Sequence, residues 1–341
     1  MNSFRQWQHA HFGQRARVKD GIIQDFHAPE EEYARTVEEA GLIDLGHREM
    51  LQISGPDTLS FLDRLLTYRI RALQIRQGCR PFLLDARGRI RAAFMCLRRD
   101  ENICWLDVAE GYGGLLVDAL DHFHFGERIT FEHVGAQGRL IHITGPKASD
   151  TLAAVGLPAP ESTFEFAVGR DDILVGRVPR SGRACWDIWL PATNQGLWWD
   201  RLEQAGATAT GILVAEALRI HAGQPSFPGE FSEHVTPLDC QGMDGVTDGK
   251  GCYPGQEVIE RTIALGRPAR KLVQLTASRD LMVGSDIYSD GVKVGRITSV
   301  THLGAHATTA LAIVKRRTAV DGTLSTGDGI GLTGGIKIGE D

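Results

Sequence analysis

Residues 250–261 read KGCYPGQEVIER, which places a thiol, an ammonium group, two glycines and a proline within six residues. Glycine frees the backbone and proline fixes it, so this composition predicts a tight, defined loop. Lys250 lies two residues before Cys252, and a neighbouring cation lowers the pKa of a thiol. After the loop, Pro254 and Gly255 suit the start of a helix. The alternative interpretation is a loop that only caps this helix and half-buries its cysteine.

The string K-G-C-Y-x-G-Q-E-x-x-x-R resembles the signature of the YgfZ family, which are folate-binding proteins of iron–sulfur cluster maintenance. That family is similar in fold to the T-protein, the aminomethyltransferase of the glycine cleavage system. The resemblance implies an α+β, T-protein/YgfZ-like folate-binding fold with duplicated α+β halves and a small C-terminal β-barrel domain. It also implies that Cys252 is the reactive group and Lys250 its activator or anion partner. Gln256 and Arg261 would order the loop as part of the cofactor-binding site.

Two similar units elsewhere in the chain agree with a duplication. A strand, the turn Ser54-Gly55-Pro56 and a helix over 57–66 are followed 90 residues later by a strand, the turn Thr144-Gly145-Pro146 and a helix over 147–155. We expect each proline at the first helical position, where proline is favoured.

The predicted domains are a folate-binding region, residues 1–265, and a C-terminal β-barrel domain, residues 267–341. The first contains two α+β subdomains, the second of which, about 49–137, is inserted in the first. Helical spacing also predicts that Leu115 and Leu197 face inward from their helices.

A second resemblance concerns the pterin. Residues 180–187, RSGRACWD, resemble the T-protein segment GYTGExGxE, whose carboxylate holds the pterin edge. This implies tetrahydrofolate or a one-carbon derivative as cofactor, held by Asp187 with Trp186 beside it. A carboxylate accepts two parallel hydrogen bonds from the pterin, as it does from a guanidinium. The alternative for Asp187 is a solvated charge at a strand end. Ala215 and His221 replace an arginine and an acid of the T-protein, which leaves the contacts of the folate tail and ring open.

The expected catalytic acids of the T-protein are replaced. Its hairpin segment GGxxDD is matched by residues 88–93, with Ala92 and Ala93 at the two acids. Alanine can neither accept a proton nor stabilise a cation, so aminomethyl transfer is not expected. We therefore predict a tetrahydrofolate-binding protein that supports iron–sulfur cluster assembly or repair, and leave open whether it is an enzyme. The alternatives are a folate-dependent one-carbon transferase or demethylase with a shifted base, and a non-catalytic folate-binding adaptor.

Composition bounds the partners and the compartment. The 341-residue chain has a net charge of −6, which gives no reason to expect direct nucleic-acid binding. None of its six cysteines forms a C-x-x-C pair, so we expect no metal site, and Cys252 alone is too few to hold a cluster. No apolar run approaches the roughly 18 residues of a membrane span. The expected partners are a folate and iron–sulfur proteins or their assembly machinery, in the cytoplasm of a bacterium or the mitochondrion of a eukaryote.

Overall fold

The computed structural model describes residues 8, 10–304, 307–320 and 323–337. The chain divides into two compact units. Unit 1 comprises Met1–Pro56, Gln74–Gly78 and Cys96–Leu218, and unit 2 comprises Asp57–Leu73, Cys79–Met95 and Arg219–Asp341. The predicted boundaries, at about 49–137 and at 265–267, divide the chain into continuous segments, whereas each compact unit combines separate segments. The predicted domains therefore stay predictions.

In the described part of the chain, the α-helices with defined bounds are, in chain order, α1 (Pro29–Glu38), α2 (Thr58–Leu65), α3 (Gly113–Asp121), α4 (Ala148–Ala154), α5 (Gln195–Gln204), α6 (Ile212–His221) and α7 (Gln256–Leu265). The strands are β1 (Arg17–Lys19), β2 (Ile22–Asp25), β3 (Gly41–Asp44), β4 (Glu49–Ser54), β5 (Gln77–Cys79), β6 (Phe82–Leu84), β7 (Ile90–Ala93), β8 (Met95–Asp100), β9 (Ile103–Val108), β10 (Thr130–His133), β11 (Gly138–Thr144), β12 (Phe166–Val168), β13 (Leu174–Arg177), β14 (Cys185–Pro191), β15 (Thr208–Thr210), β16 (Arg270–Ala277), β17 (Asp286–Ser289), β18 (Val292–Thr301), β19 (Thr308–Lys315), β20 (Leu324–Thr326) and β21 (Gly331–Lys337).

Unit 1 contains two large sheets and the two-stranded sheet β1–β2. A six-stranded sheet has the order β12-β13-β14-β11-β3-β15, and a five-stranded sheet has the order β10-β4-β9-β8-β5. In the six-stranded sheet the pairs are antiparallel except for β15, which runs parallel to β3. One face of this sheet packs against Trp198 and Trp199 of α5 in a large apolar core. The other face carries a smaller apolar cluster around Trp105 and Trp189, beside which the polar residues described below lie.

The repeated strand–turn–helix units have the same backbone geometry. Gly55 and Gly145 have φ angles of 138° and 126°, and a Cβ atom at either would lie within 2.6 Å of a carbonyl oxygen, at 2.1 Å for Gly55 and 2.5 Å for Gly145. Only glycine fits such a turn. The prediction that proline occupies the first helical position was wrong, because Pro56 and Pro146 each precede the residue that caps the helix.

The burial predicted for two leucines was also wrong. Leu115 and Leu197 are 61% and 50% exposed. In α3 the buried stripe follows Leu116 and Leu120, four residues apart, and the neighbouring Leu115 points about 100° away from that stripe. In α5 the indole side chains that follow Leu197 fill the core in its place.

Unit 2 contains a closed barrel of order β16-β19-β18-β17-β20-β21 and the hairpin β6–β7. Alternate residues of the barrel strands face opposite ways. Val273 and Ala312 fill the barrel interior, whereas Leu272 and Leu311 join an outer cluster that includes Phe82 of the hairpin. The barrel and the hairpin therefore share one apolar core. This agrees with the predicted α+β fold with a C-terminal β-barrel.

Candidate functional site

A polar cluster lies on the second face of the six-stranded sheet of unit 1. In the antiparallel pair β11–β14, His142 is opposite Asp187 and Thr144 is opposite Cys185. Because residues two apart on a strand share a face, these side chains are all on one side of the sheet. Trp186 lies on the other side, in the large core, where its indole N–H donates to the carbonyl of Pro160 at 2.9 Å.

Asp187 is buried and both of its carboxylate oxygens are occupied. The Nε atom of Arg180 lies 2.9 Å from Oδ1 and from Oδ2, and its Nη2 atom lies 2.6 Å from Oδ2. The Nδ1 atom of His142 lies 2.8 Å from Oδ1. Asp187 is thus an internal group in the middle of its sheet, and the alternative of a solvated strand-end charge does not describe it.

The ionic contacts continue beyond Arg180. Its Nη2 atom also contacts Asp107, and Asp107 accepts a 2.5 Å hydrogen bond from the Nε atom of Arg48. Carboxylates and guanidinium groups therefore alternate along a chain of four residues. Arg48 and the adjacent His47 line a cleft of about 290 Å³ in unit 1. We call Arg48, Asp107, His142, Arg180, Cys185 and Asp187 the Asp187 cluster.

Several groups of the cluster titrate far from their ordinary pKa. Burial alone would lower the pKa of His142, but its hydrogen bond with Asp187 and its interaction with Cys185 raise it to about 9. Burial alone would raise the pKa of Cys185, but His142 and Ser181 lower it to about 7. The charge of Arg180 outweighs burial at Asp187 and holds its pKa well below the ordinary range. His47 is the opposite case, because burial and the charge of Arg48 lower its pKa to about 4.

One polar atom in this cluster is left over. His142 Nε2 is buried and has no hydrogen-bond partner among the described residues. An unsatisfied buried polar atom costs free energy, and a bound ligand is one way to satisfy it. The carboxylate of Asp187 offers two adjacent acceptors, which is the chemistry that the donor edge of a pterin requires. In this structure Arg180 occupies both acceptors.

The signature loop belongs to unit 2, and the side chain of Lys250 is buried there. Only 1% of this side chain is exposed, its Nζ atom donates to the carbonyl of Asp63, and it lies 3.9 Å from the carboxylate of the same residue. The ring of Tyr253 is 5.3 Å away. Burial lowers the pKa of Lys250, with Asp63 opposing the shift. The lysine therefore anchors the loop, as does Arg69, whose Nη2 atom donates to the carbonyl of Gly249 at 2.9 Å.

Cys252 is exposed, whereas the other five cysteines are buried. Gly251 before it is also exposed and has a φ angle of 109°. Tyr253 after it is buried in the apolar core that the barrel and the hairpin share. Residues 251–252 are thus a short exposed excursion between two anchored residues. The alternative of a half-buried cysteine does not describe this loop.

The remaining predicted site residues of the signature lie on α7. Gly255 caps this helix with a φ angle of 77°, and a Cβ atom there would lie 2.4 Å from the carbonyl oxygen of Asp85. The Nε2 atom of Gln256 donates to Glu260 at 2.5 Å, one turn along the same helix, and Arg261 is exposed. The described contact of Gln256 is therefore within its helix and not with the loop.

The structure also shows the surroundings of the four positions at which this chain differs from the T-protein pattern. Ala92 and Ala93 are buried in the hairpin, whose acid, Asp85, accepts hydrogen bonds from the backbone of its own turn. Ala215 packs beside the smaller apolar cluster of unit 1. His221 Nε2 lies 2.8 Å from the carbonyl oxygen of Leu303. None of these four positions supplies a carboxylate.

One group of side chains in the described part of the chain has the spacing of metal ligands: His11, Asp200 and Glu203. Two of them already contact each other, because His11 Nε2 lies 3.3 Å from Asp200. Glu203 accepts hydrogen bonds from Trp199 and Arg15, at 3.0 and 3.3 Å. The expectation of no metal site stays a prediction. No helix of the described residues has the length and apolar character to cross a membrane.

Sequence reasoning located Asp187 but missed its partners His142, Asp107 and Arg48. They come from distant parts of the chain, 45 residues away for His142 from Asp187 and 73 for Asp107 from Arg180. The available signal was weak: a histidine and an aspartate, each within a largely apolar strand.

Comparison with known proteins places these observations in a family context. Residues 1–248 match the family described as the GCVT N-terminal domain. An Arabidopsis thaliana protein named "Putative transferase", chloroplastic, is 24% identical over 92% of this chain and 74% of its own length. An aminomethyltransferase of Streptomyces avermitilis is 25% identical over 87% of this chain and 84% of its own. The crystal structure of the glycine cleavage system aminomethyltransferase T from Bartonella henselae matches with a TM-score of 0.86, at 20% identity, over 97% of this chain and 96% of that one.

Proposed function

Because the chain belongs to the GCVT N-terminal domain family, we propose that it binds tetrahydrofolate or a one-carbon derivative through the carboxylate of Asp187. The chain has the T-protein fold. The observation that supports the proposal most is a buried carboxylate with the unpartnered Nε2 atom of His142 beside it. Asp187 would accept the pterin's ring N–H and amino group. Trp186, on the opposite face of the strand, would fix the position of Asp187 by its packing.

Calorimetry with tetrahydrofolate tests this proposal. The wild-type protein should bind, and Asp187→Ala should weaken binding by roughly 1.5–3 kcal/mol, the range for hydrogen bonds to charged groups. The variant's thermal unfolding is followed in parallel, so that loss of the fold is told apart from loss of the contact. Absence of both heat and thermal shift with the wild-type protein would contradict the proposal.

We further propose that the protein supports iron–sulfur cluster assembly or repair as a YgfZ-type protein, with Cys252 as the reactive group. Two observations support this: the matched signature, and the exposure of this thiol, in contrast to the five buried ones. Lys250 would act mainly by fixing the loop that carries Cys252, and Gln256 and Arg261 by shaping the helix behind it. Its protein partners would be iron–sulfur proteins or their assembly machinery, in the bacterial cytoplasm or, for a eukaryotic chain, the mitochondrion.

A deletion strain tests the role of the thiol. Cys252→Ser should leave folate binding nearly unchanged and remove support of iron–sulfur enzymes in the cell. Cys240→Ser, which changes a buried thiol of the same unit, is the matched control and should complement. Full complementation by Cys252→Ser would favour the non-catalytic adaptor.

A one-carbon transferase remains the second candidate, and one observation favours it. Cys185, whose pKa is lowered to about 7, could supply a base at a position other than the hairpin acids of the T-protein. Ala92 and Ala93 argue against aminomethyl transfer itself. We expect no turnover with aminomethylated carrier protein, and turnover at the rate of a true aminomethyltransferase would decide for this candidate.

A further inference from the structure

We propose that Arg180 is an internal competitor for the folate, whose guanidinium must leave Asp187 before the pterin can bind there. This inference, which rests on the proposed function, assigns Arg180 as the residue that sets the affinity of the site. It follows from the hydrogen bonds of Asp187, from the partial exposure of Arg180 in its loop, and from the second carboxylate beside it.

The first step concerns chemical likeness. The guanidinium of Arg180 presents two neighbouring N–H donors, from Nε and Nη2, to the carboxylate of Asp187. The edge of a 2-amino-4-oxopyrimidine ring presents the same pattern, one ring N–H beside one amino N–H. A carboxylate binds such a pair of donors along one edge. Arg180 therefore makes with its own chain the contact that a pterin would make.

The second step is a count of acceptors. A carboxylate offers about four lone-pair sites. Asp187 accepts from His142 at Oδ1 and from Arg180 at both oxygens. Two further parallel donors cannot reach the same edge while both side chains stay in place. His142 is held on a strand opposite Asp187, so Arg180 is the side chain that can give way.

The third step concerns where the guanidinium can go. Arg180 lies between β13 and β14, in a loop that includes Gly182 with a φ angle of 68°. Its side chain is 23% exposed, whereas those of Asp187 and Asp107 are 6% exposed. Because Nη2 already contacts Asp107, a displaced guanidinium keeps one carboxylate partner. When the ligand replaces Arg180 at Asp187, Arg180 keeps Asp107 as its partner, and no buried charge is left unpaired.

Affinity measurements with three variants test the inference. Tetrahydrofolate binding is measured by calorimetry at one salt concentration for wild type, Arg180→Ala, Arg180→Lys and Arg183→Ala, with thermal unfolding of each. Arg183 is exposed and lies on the same loop, so its variant is the matched control. We expect Arg180→Ala to bind about tenfold more tightly than wild type, a difference of ~1.4 kcal/mol, although it unfolds at a lower temperature.

Arg180→Lys should fall between wild type and Arg180→Ala, because an ammonium group cannot present two parallel donors. Arg183→Ala should bind as wild type does. A purely structural role for Arg180 predicts the opposite sign, with affinity and unfolding temperature falling together. Arg180→Lys carries the test by itself if the alanine variant does not fold.

Two outcomes distinguish the inference from the proposed function. If wild type binds folate and both Arg180 variants bind it equally or more weakly, Arg180 is not a competitor, and the proposed folate site is unaffected. Folded protein that binds no folate, with or without Arg180, would overturn the proposed function and the competitor with it. Binding that appears only after Arg180 is replaced would support the competitor but contradict the proposal that the wild-type chain binds folate.

Discussion

The Asp187 cluster of unit 1 and the signature loop of unit 2 are opposite kinds of site. The cluster is buried, its charges are paired, and its pKa values are strongly shifted. The loop carries the dense motif, yet Lys250 and Tyr253 are buried and anchor it, and its exposed residues are Gly251 and Cys252. A conspicuous string of residues therefore marks a precisely held backbone here, while the perturbed titrating groups lie in strands of ordinary appearance.

The difference has an energetic side. Removing one partner of a buried ion pair leaves a charge without compensation and is costly, whereas an exposed thiol contributes little to stability. The cluster should thus respond to substitution through folding free energy, and the exposed part of the loop mainly through reactivity. Four measurements test this contrast.

The largest effect is expected for the central carboxylate. Asp187→Ala removes the buried carboxylate that Arg180 and His142 share and should lower the free energy of unfolding by about 3–5 kcal/mol, as for other broken buried pairs. Urea unfolding at neutral pH measures it. Asp118→Ala, on the exposed side of α3, is the control and should change stability by less than about 0.5 kcal/mol. A loss below 1 kcal/mol at Asp187, on the order of a single neutral hydrogen bond, would contradict the picture of a tightly coupled cluster.

The next effect concerns pH. The raised pKa of His142 gives stability that is full below about 6.5 and is lost as pH rises through about 9. The lowered pKa of Cys185 gives stability that is full above about 9 and is lost as pH falls through about 7. Between pH 7 and 9 the folded and unfolded states then hold equal numbers of protons on this pair. The pH dependences of the two contributions therefore cancel, and the stability that the pair supplies stays level.

Cys185→Ser should expose the histidine contribution. Its unfolding free energy should fall by at most about 2 kcal/mol between pH 6.5 and 9, because Asp187 still raises the pKa of His142 after the contribution of Cys185 is lost, whereas that of wild type stays nearly level over the same groups. Urea unfolding at four pH values measures the slope. Cys104→Ser is the control, since a hydrogen bond with Cys96 and burial raise the pKa of Cys104 and it stays a neutral thiol. Parallel slopes in all three proteins would show that the pair does not titrate as described.

A smaller effect is expected for the anchor of the loop. Lys250→Met keeps the apolar stem but removes the hydrogen bond to Asp63, and should cost about 1 kcal/mol. It should also change the alkylation rate of Cys252, because residues 251–252 lose one of their two fixed ends. Lys271→Met, on the barrel, serves as the control for loss of one positive charge. An unchanged alkylation rate would mean that Lys250 does not position the thiol.

The smallest effect on stability is expected at Cys252 itself. Cys252→Ser should change the free energy of unfolding by less than about 0.5 kcal/mol, as is usual for exposed positions. In native wild-type protein, mass-spectrometric labelling near neutral pH should modify Cys252 before the five buried cysteines. Labelling of Cys185 at a comparable rate would contradict this expectation, because the reactivity of that thiol would then follow its lowered pKa and not its burial.

Much of the fold could be predicted because local signals agree with it. Helix spacing, the turns at Gly55 and Gly145, and short β runs between glycine-rich turns gave the α+β arrangement and the barrel. The Asp187 cluster could be predicted only in part. Whether Asp187 meets His142 or solvent depends on strand register across distant segments, and a register is not visible in any single strand. Likewise, the burial of Lys250 depends on the carbonyl of Asp63, which lies 187 residues away.

The shared core of unit 2 has a consequence for how this chain can change over evolutionary time. Leu272, Leu311 and Ile313 point out of the barrel into the cluster that holds Phe82 and Tyr253. Exchanging the barrel for another of the same topology would have to reproduce this outward apolar surface, or leave the hairpin and the signature loop without their packing partners. The barrel is therefore inherited together with the loop, and its outer face should tolerate fewer substitutions than the outer face of a free-standing barrel.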